Sequence, residues 1–247
     1  MKAIYIMWLR QLKRYWRSRG RMIGSLGQPI LFLVALGFGL GAIYAKAGAG
    51  NFIQFLAPGV ISMTILFSAM FSGIEVIWDR QFGFLKETLV APVPRFHIMM
   101  GKTLGGATIS IFQGLIVFII TLIAGFRPNL SYLPLAFLFM FLIAVLFTSL
   151  GVAIASQLDD MQAFPIIMNF LIMPIFFLSG AIFPLEGIPK ALESVIKFNP
   201  LTYGVDGIRG ALTNSYYFSF FIDFIVITIL ALIMLAIGTY MFYRAEA

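Results

Sequence analysis

Residues 128–158 read PNLSYLPLAFLFMFLIAVLFTSLGVAIASQL, 31 positions without one Asp, Glu, Lys or Arg. A helix needs about 20 apolar residues to cross the hydrocarbon core of a bilayer, and this run exceeds that. It lacks the sustained alternation of a barrel stave and is too long for one. In lipid, a helix is also the way a lone segment satisfies its own backbone. Five more charge-free runs flank it, at 22–45, 47–74, 103–126, 161–185 and 224–243. Across all 247 residues, 61% are hydrophobic and 11% charged, against about 25% charged in a soluble domain. Mean hydropathy is +0.98. These values exclude a water-soluble enzyme, a disordered tail and a nucleic-acid-binding domain. The expectation is an all-α polytopic membrane protein, one domain over 1–247. Its six transmembrane helices fall at 23–44, 56–77, 103–125, 133–155, 164–183 and 220–243, after a cytoplasmic interfacial segment at 1–21.

The charges orient this array. Lys2, Arg10, Lys13, Arg14, Arg17, Arg19 and Arg21 precede the first apolar run, with no acid among them. Cytoplasmic loops are rich in Lys and Arg, so both termini are expected in the cytoplasm of a multi-pass cell-membrane protein. The assignment puts twelve basic residues inside and five outside. One inner loop, 156–162, dissents by carrying only Asp159 and Asp160, but acids count little in this rule. The first apolar run is too long for a cleavable signal core, so that helix is expected to remain in the protein. Residues 4–21 are amphipathic at helical spacing. Ile4, Trp8, Leu12, Tyr15 and Trp16 oppose Arg10, Lys13, Arg14, Arg17 and Arg21, a pattern for a helix lying at headgroup depth and ending near Gly20. The net charge of +7 thus concerns membrane lipid, not nucleic acid.

The longest inner excursion, 78–102, contains WDRQFGFLKETLVAPVPR. Pro92 and Pro94 stop any helix there, leaving a short one at 82–90. Phe84, Leu85 and Leu89 are apolar among Arg80, Lys86, Glu87 and Arg95, as at a docking surface. Gly101-Lys102-Thr103 imitates the end of a phosphate-binding loop. The required earlier glycine is replaced by Phe96, no strand precedes it, and Lys102 reads as an interfacial lysine at a helix start. With no cysteine and a lone His97, neither thiol chemistry nor a metal site is expected, and the chain is expected to bind no cofactor and to be no enzyme.

Inside the apolar runs, Glu75 and Asp223 lie near helix ends and are expected to reach interface water. No chain of acids and histidines crosses the bilayer, which disfavours a proton-driven secondary transporter. Gln113 and Asn169 are the polar groups for a pathway or a helix interface, and Pro174, with Pro165, permits bending. Gly24, Gly27, Gly37, Gly39 and Gly41 are expected to support close helix packing. Between the last two runs, 188–198 and 201–212 are helical in pattern, split by Asn199-Pro200, and too short to span.

The runs Phe55-Leu-Ala-Pro-Gly59, Trp78-Asp-Arg80 with Gly83-Phe-Leu-Lys-Glu87, and Ala91-Pro-Val-Pro-Arg95 resemble the membrane subunit of ABC-2 type transporters. So do Phe198-Asn-Pro-Leu-Thr-Tyr203 and Asp206-Gly-Ile-Arg-Gly210. The likeness is strongest to the branch of daunorubicin-resistance permeases and nodulation lipo-oligosaccharide exporters, and covers nearly the whole chain. It implies a dimer with a second permease copy or a close paralogue. It also implies two copies of a separate ATPase subunit that carry ATP and Mg. The implied activity is export of hydrophobic or amphiphilic cargo, drug-like or lipid-like, with a lipid-linked glycan or polysaccharide as the alternative. Coupling to the ATPase is implied for Arg80, Gly83, Phe84, Leu85, Lys86, Glu87, Pro92 and Arg95. An outer gate or fold-defining role in re-entrant helices is implied for Asn199, Pro200, Tyr203, Asp206 and Arg209.

Overall fold

The computed structural model describes residues 2–46, 51–90, 92–158, 160–185 and 187–244. Among them the chain is helical, with no strand. Helix α1 (Lys2–Arg17) is amphipathic and stops at Ser18, whose hydroxyl donates to the Arg14 carbonyl at 3.2 Å. The continuing chain forms α2 (Arg19–Lys46). The break therefore falls before Gly20. Helix α3 (Phe52–Phe71) is capped by Asn51, which accepts from Ile53 N, and a turn at Ser72-Gly73 leads to α4 (Ile74–Gln81). A short α5 (Phe84–Val90) follows Gly83. Helix α6 (Arg95–Ile123) starts directly after Pro94, and α7 (Leu133–Ala155) follows a 3-10 turn at Leu130–Tyr132.

Among the described residues, five helices are long and apolar enough to cross a membrane: Met22–Gly41, Phe52–Gln81, Arg95–Ile123, Leu130–Ala155 and Phe220–Arg244. The remaining expected crossing, 164–183, is a shorter apolar rod, Ala163–Phe177. It comprises α8 (Ala163–Ile167), one π-helical segment (Met168–Ile172) and α9 (Met173–Phe177). At 1.5 Å per residue the rod is about 22 Å long, against about 30 Å of hydrocarbon.

The remaining elements are α10 (Lys190–Phe198), α11 (Pro200–Thr213) and α12 (Phe220–Arg244). Helices α3, α6 and α7 form the centre, and α11 inserts among α3, α7 and α12. Leu56, Ile61, Ile65, Phe139, Ile143, Phe147 and Val205 are wholly enclosed in this core. Helices α2 and α12 are peripheral and expose Leu31, Phe38, Ile43, Phe221, Ile225 and Leu232. In water such a surface would drive association; facing lipid tails it costs little. The glycines of α2 are not packed as expected. A Cβ added at Gly24, Gly27, Gly39 or Gly41 would meet nothing within 4 Å, and only Gly37 lies against neighbours, at ordinary contact distance.

Contacts separate the bundle's two ends. One gathers α1, α4, α5, the start of α6, residues 156–158 and the end of α12. The other gathers the end of α2, the start of α3, residues 125–129, and α11.

Candidate functional site: the α5 face and the inserted α11

At the α1 end, one carboxylate organises three helices. Asp79, in the last turn of α4, is buried. It accepts from Arg10 at 2.7 and 3.2 Å, from Arg14 at 3.5 Å and from Lys102 at 2.5 Å. Lys102 is not interfacial. It lies in the second turn of α6 with only 2% of its surface exposed, where a charge is tolerated only when paired. Arg10 also covers the Phe84 ring at 3.6 Å, and Arg14 covers Trp78 at 4.9 Å. Part of the basic face of α1 is thus turned onto the loop, not wholly toward lipid phosphates. The adjoining face buries Met7, Gln11 and Tyr15, while Trp8 donates to the Thr108 hydroxyl at 3.0 Å. The approach to α6 needs glycine: a Cβ on Gly101 would lie 2.5 Å from Met7 Cβ, and one on Gly105 2.6 Å from Gln11 Cβ.

This frame holds up the expected docking loop. Arg80 donates to the carbonyls of Ser156 and Leu158 at 2.7 and 3.0 Å, tying α4 to the end of α7. Arg95 donates to the Tyr243 carbonyl and stacks on its ring at 5.0 Å, tying α6 to α12. Gly83, at φ +75°, adopts the left-handed turn that glycine accepts without strain. Phe82 and Val90, at either end of the α5 segment, are 80% and 86% exposed. Glu87 and Pro92 are exposed beside them, and Phe84 is half-buried under Arg10. The side chains of Leu85, Lys86 and Leu89 lie outside the described residues, as do Ala91 and Asp159.

The second group of expected residues surrounds α11. Asn199 caps this helix by accepting from Leu201 N at 3.0 Å, and its amide donates to the Ile175 carbonyl of α9 at 2.6 Å. Pro200 occupies the first helical turn, where its missing N–H costs nothing. Tyr203 donates to the Lys197 carbonyl at 2.6 Å. Asp206 accepts from the backbone N–H groups of Tyr217 and Phe218, each at 2.8 Å. Arg209 donates to the Gly180 carbonyl at 2.8 Å and lies over Phe55 at 4.2 Å. On α10, hydrogen bonding and charge from Glu193 hold the Lys197 ammonium above the usual lysine range.

The insertion has a measurable depth. A Cβ on Gly204 would strike Ile143 Cγ1 and one on Gly207 would strike Phe139 Cε1, so α11 lies against α7 at both positions. Ile143 is ten residues into α7, about 15 Å along its axis. The last turn of α11 returns to the bundle end, where Asn129 N donates to the Leu212 carbonyl. Asp223 of α12 is 0% exposed, and Glu75 of α4 is 2% exposed. Neither is exposed at a helix end as expected, because α11 packs against α12 beside the first and the bundle encloses the second.

Gln113 is buried, donating to Tyr15 Oη at 3.0 Å and Ser25 Oγ at 2.8 Å, which joins α6 to α1 and α2. Asn169 and Pro174 do not join it. They lie on the outer face of the α8–α9 rod with Ile166, Phe170 and Phe177. Asp79 escaped the sequence reading. The signal was an acid in a cation-rich end, 23 positions before a lysine on α6.

Fold and surface define an all-helical, multi-pass membrane protein with a basic, polar-laced end and a helix inserted at the other. The chain belongs to the ABC-2 type transporter family, whose model matches residues 2–213. It is 29% identical over 202 residues to a chain named transport permease ycf38 from Cyanophora paradoxa, covering 78% of this chain and 68% of that one. The ycf38 chain of Pyropia yezoensis is 32% identical over 209 residues, covering 81% and 70%. Nodulation protein J of Rhizobium leguminosarum bv. trifolii is 28% identical over 190 residues, covering 76% and 72%.

Proposed function

We propose that this chain is the non-catalytic permease subunit of an ATP-driven exporter, moving hydrophobic or amphiphilic cargo, drug-like or lipid-like, out of the cell. Two copies, or this chain and a close paralogue, pair with two separate ATPase subunits that bind ATP and Mg. The α1 end faces the cytoplasm with both termini, as its basic residues favour, and the α11 end faces out. The outward face of the α8–α9 rod, with Asn169, Phe170 and Pro174, meets the second permease copy.

One observation carries this reading: a short helix bounded by exposed Phe82 and Val90, mounted on a braced polar frame. Two large apolar side chains held in water cost free energy unless covered, and a cleft on an ATPase would cover them. When the ATPase pair closes, the push on α5 reaches α1 through Phe84 and Arg10. It reaches α6 through Asp79 and Lys102, and α7 through Arg80. Rigid coupling of this kind moves helices together instead of dissipating in loop motion.

The test is cargo-stimulated ATP hydrolysis by the assembled complex in liposomes. Gly83→Val, which cannot adopt φ +75° without strain, and Glu87→Ala should insert normally and lose stimulation. Stimulation at the parental level in both variants would remove α5 from the coupling route.

A further inference from the structure

One face of α1 carries Arg10, Lys13, Arg14 and Arg17 at helical spacing. With Trp78 and Phe84 opposite, this stripe borders an open groove of about 640 Å³ between α1 and the α4–α5 segment, within the usual range of roughly 300–1,000 Å³ for small-molecule sites. The four cations share the lining with one acid, Asp79, which Lys102 also engages from behind. Arg10 and Arg14 are held in place by Asp79 and by the rings of Phe84 and Trp78, yet remain 30% and 28% exposed. A guanidinium has five N–H donors, of which Arg10 places two on Asp79 and Arg14 one. Lys13 and Arg17 are exposed, and no carboxylate among the described residues pairs with either. Helix α1 climbs alongside α6, from Met7 beside Gly101 to Trp16 beside Phe112, ring to ring at 5.1 Å. Lys13 and Arg17 therefore stand level with the charge-free part of α6 that begins at 103.

We propose that this groove binds the phosphate of an anionic membrane phospholipid. Four cations around one shared acid favour a negative headgroup and reject a positive one. The guanidinium forks of Arg10, Arg14 and Arg17 match phosphate oxygens in pairs, and Lys13 adds a point charge. Depth selects the bilayer as the source. Where the neighbouring helix is free of charge, a cation is costly unless it finds a counter-ion or reaches the headgroup layer, and the lipid phosphates supply both. Lys and Arg clusters at such a border attract anionic lipid. Ser18, on the deep end of the lining, adjoins α2, where Ile23 is 74% exposed and offers surface to acyl chains.

The test is calorimetric titration of the delipidated full chain in dodecyl maltoside with dihexanoylphosphatidylglycerol. Binding should saturate, and dihexanoylphosphatidylcholine, whose headgroup has no net charge, should bind at least tenfold more weakly. Lys13→Gln combined with Arg17→Gln should weaken phosphatidylglycerol binding at least tenfold at a parental thermal midpoint. Arg17→Gln alone, expected to cost at least threefold, decides the matter if the double variant is unstable. Lys2→Gln combined with Arg19→Gln removes the same charge from exposed positions outside the groove and should leave the affinity unchanged. Equal losses in the two double variants would reduce the effect to general surface charge and overturn the site. Parental affinity in the folded groove variants, or equal binding of the two lipids, would overturn it as well. Glycerol phosphate separates the sources: at the same concentration it should leave the lipid bound, and displacement would give the groove to a soluble phosphate and overturn the lipid assignment. Binding requires no ATPase, so failure here leaves the export reading standing, and uncoupled α5 variants leave this site standing.

Discussion

Asp79 receives hydrogen bonds from Arg10, Arg14 and Lys102 while almost fully enclosed, so each partner's burial depends on the others. Removing one member of a buried ion pair costs about 3–5 kcal/mol, because the remaining charge stays desolvated. Asp79→Ala should therefore lower the thermal midpoint of the purified protein strongly. Replacing the pair by apolar groups is often close to neutral, so Asp79→Leu with Lys102→Met should recover most of the loss. A double variant no more stable than Asp79→Ala would show that Lys102 is not the stranded charge. Beyond an acid set in a cation-rich end, the chain gave no pointer to this pairing. Spacing along a helix gives depth, and on depth alone Lys102, Glu75 and Asp223 looked able to reach interface water. What encloses them is contributed by α1, α7 and α11, whose azimuth no local pattern encodes.

Helix α1 illustrates the same limit one level up. Its amphipathic pattern was plain, and the helix forms over Lys2–Arg17. Amphipathicity names an apolar face but not the surface it meets, and here that surface includes α6 at Gly101 and Gly105. Overpacking a close contact costs about 1–3 kcal/mol. Gly101→Leu should push α1 away, lower the thermal midpoint, and red-shift the emission of Trp8 as its bond to Thr108 breaks; Trp8 is one of three tryptophans. Unchanged emission would mean that α1 stays docked. At α11, Asn199 is both cap and cross-link. Loss of an N-cap alone costs about 1 kcal/mol, and a second bond to Ile175 is lost with it, so Asn199→Ala should exceed that figure in denaturant titration, whereas Asn199→Asp, which keeps the cap, should fall between. The break at Asn199-Pro200 and the two helices around it were readable from turn chemistry. That α11 sinks about 15 Å beside α7 was not derivable from local pattern, since it depends on Gly204 and Gly207 facing Ile143 and Phe139.

At the scale of the whole chain, charge-free length located four long helices to within a few residues, because a lipid-facing helix announces itself by composition. Helix α6 begins at Arg95, eight residues before the expected 103, since its first two turns carry Arg95, His97 and Lys102. Charge-free length overstated the crossing expected at 164–183. The run 161–185 contains enough apolar residues, yet regular helix ends at Phe177 and the chain turns at Gly180, φ +74°. Whether this rod still completes a crossing is decided by the side on which Lys190 emerges. The chain has no cysteine, so one introduced residue reports alone. Lys190→Cys should react with an impermeant maleimide on intact cells, and Phe82→Cys only after permeabilisation. Labelling of both from the same side would reject the six-crossing arrangement and the orientation with it.

The π-helical segment Met168–Ile172 has a consequence for sequence length. A π turn accommodates one residue more than the α-helix it interrupts. Deleting a single residue within it lets the rod return to ordinary α spacing with the flanking segments still in register; winding the present residue count as unbroken α-helix would rotate everything beyond by about 100°. Phe176, now enclosed, would swing away from the core, and the Ile175 carbonyl would leave Asn199. The π turn thus takes up one residue and keeps the enclosed face of α9 toward the bundle.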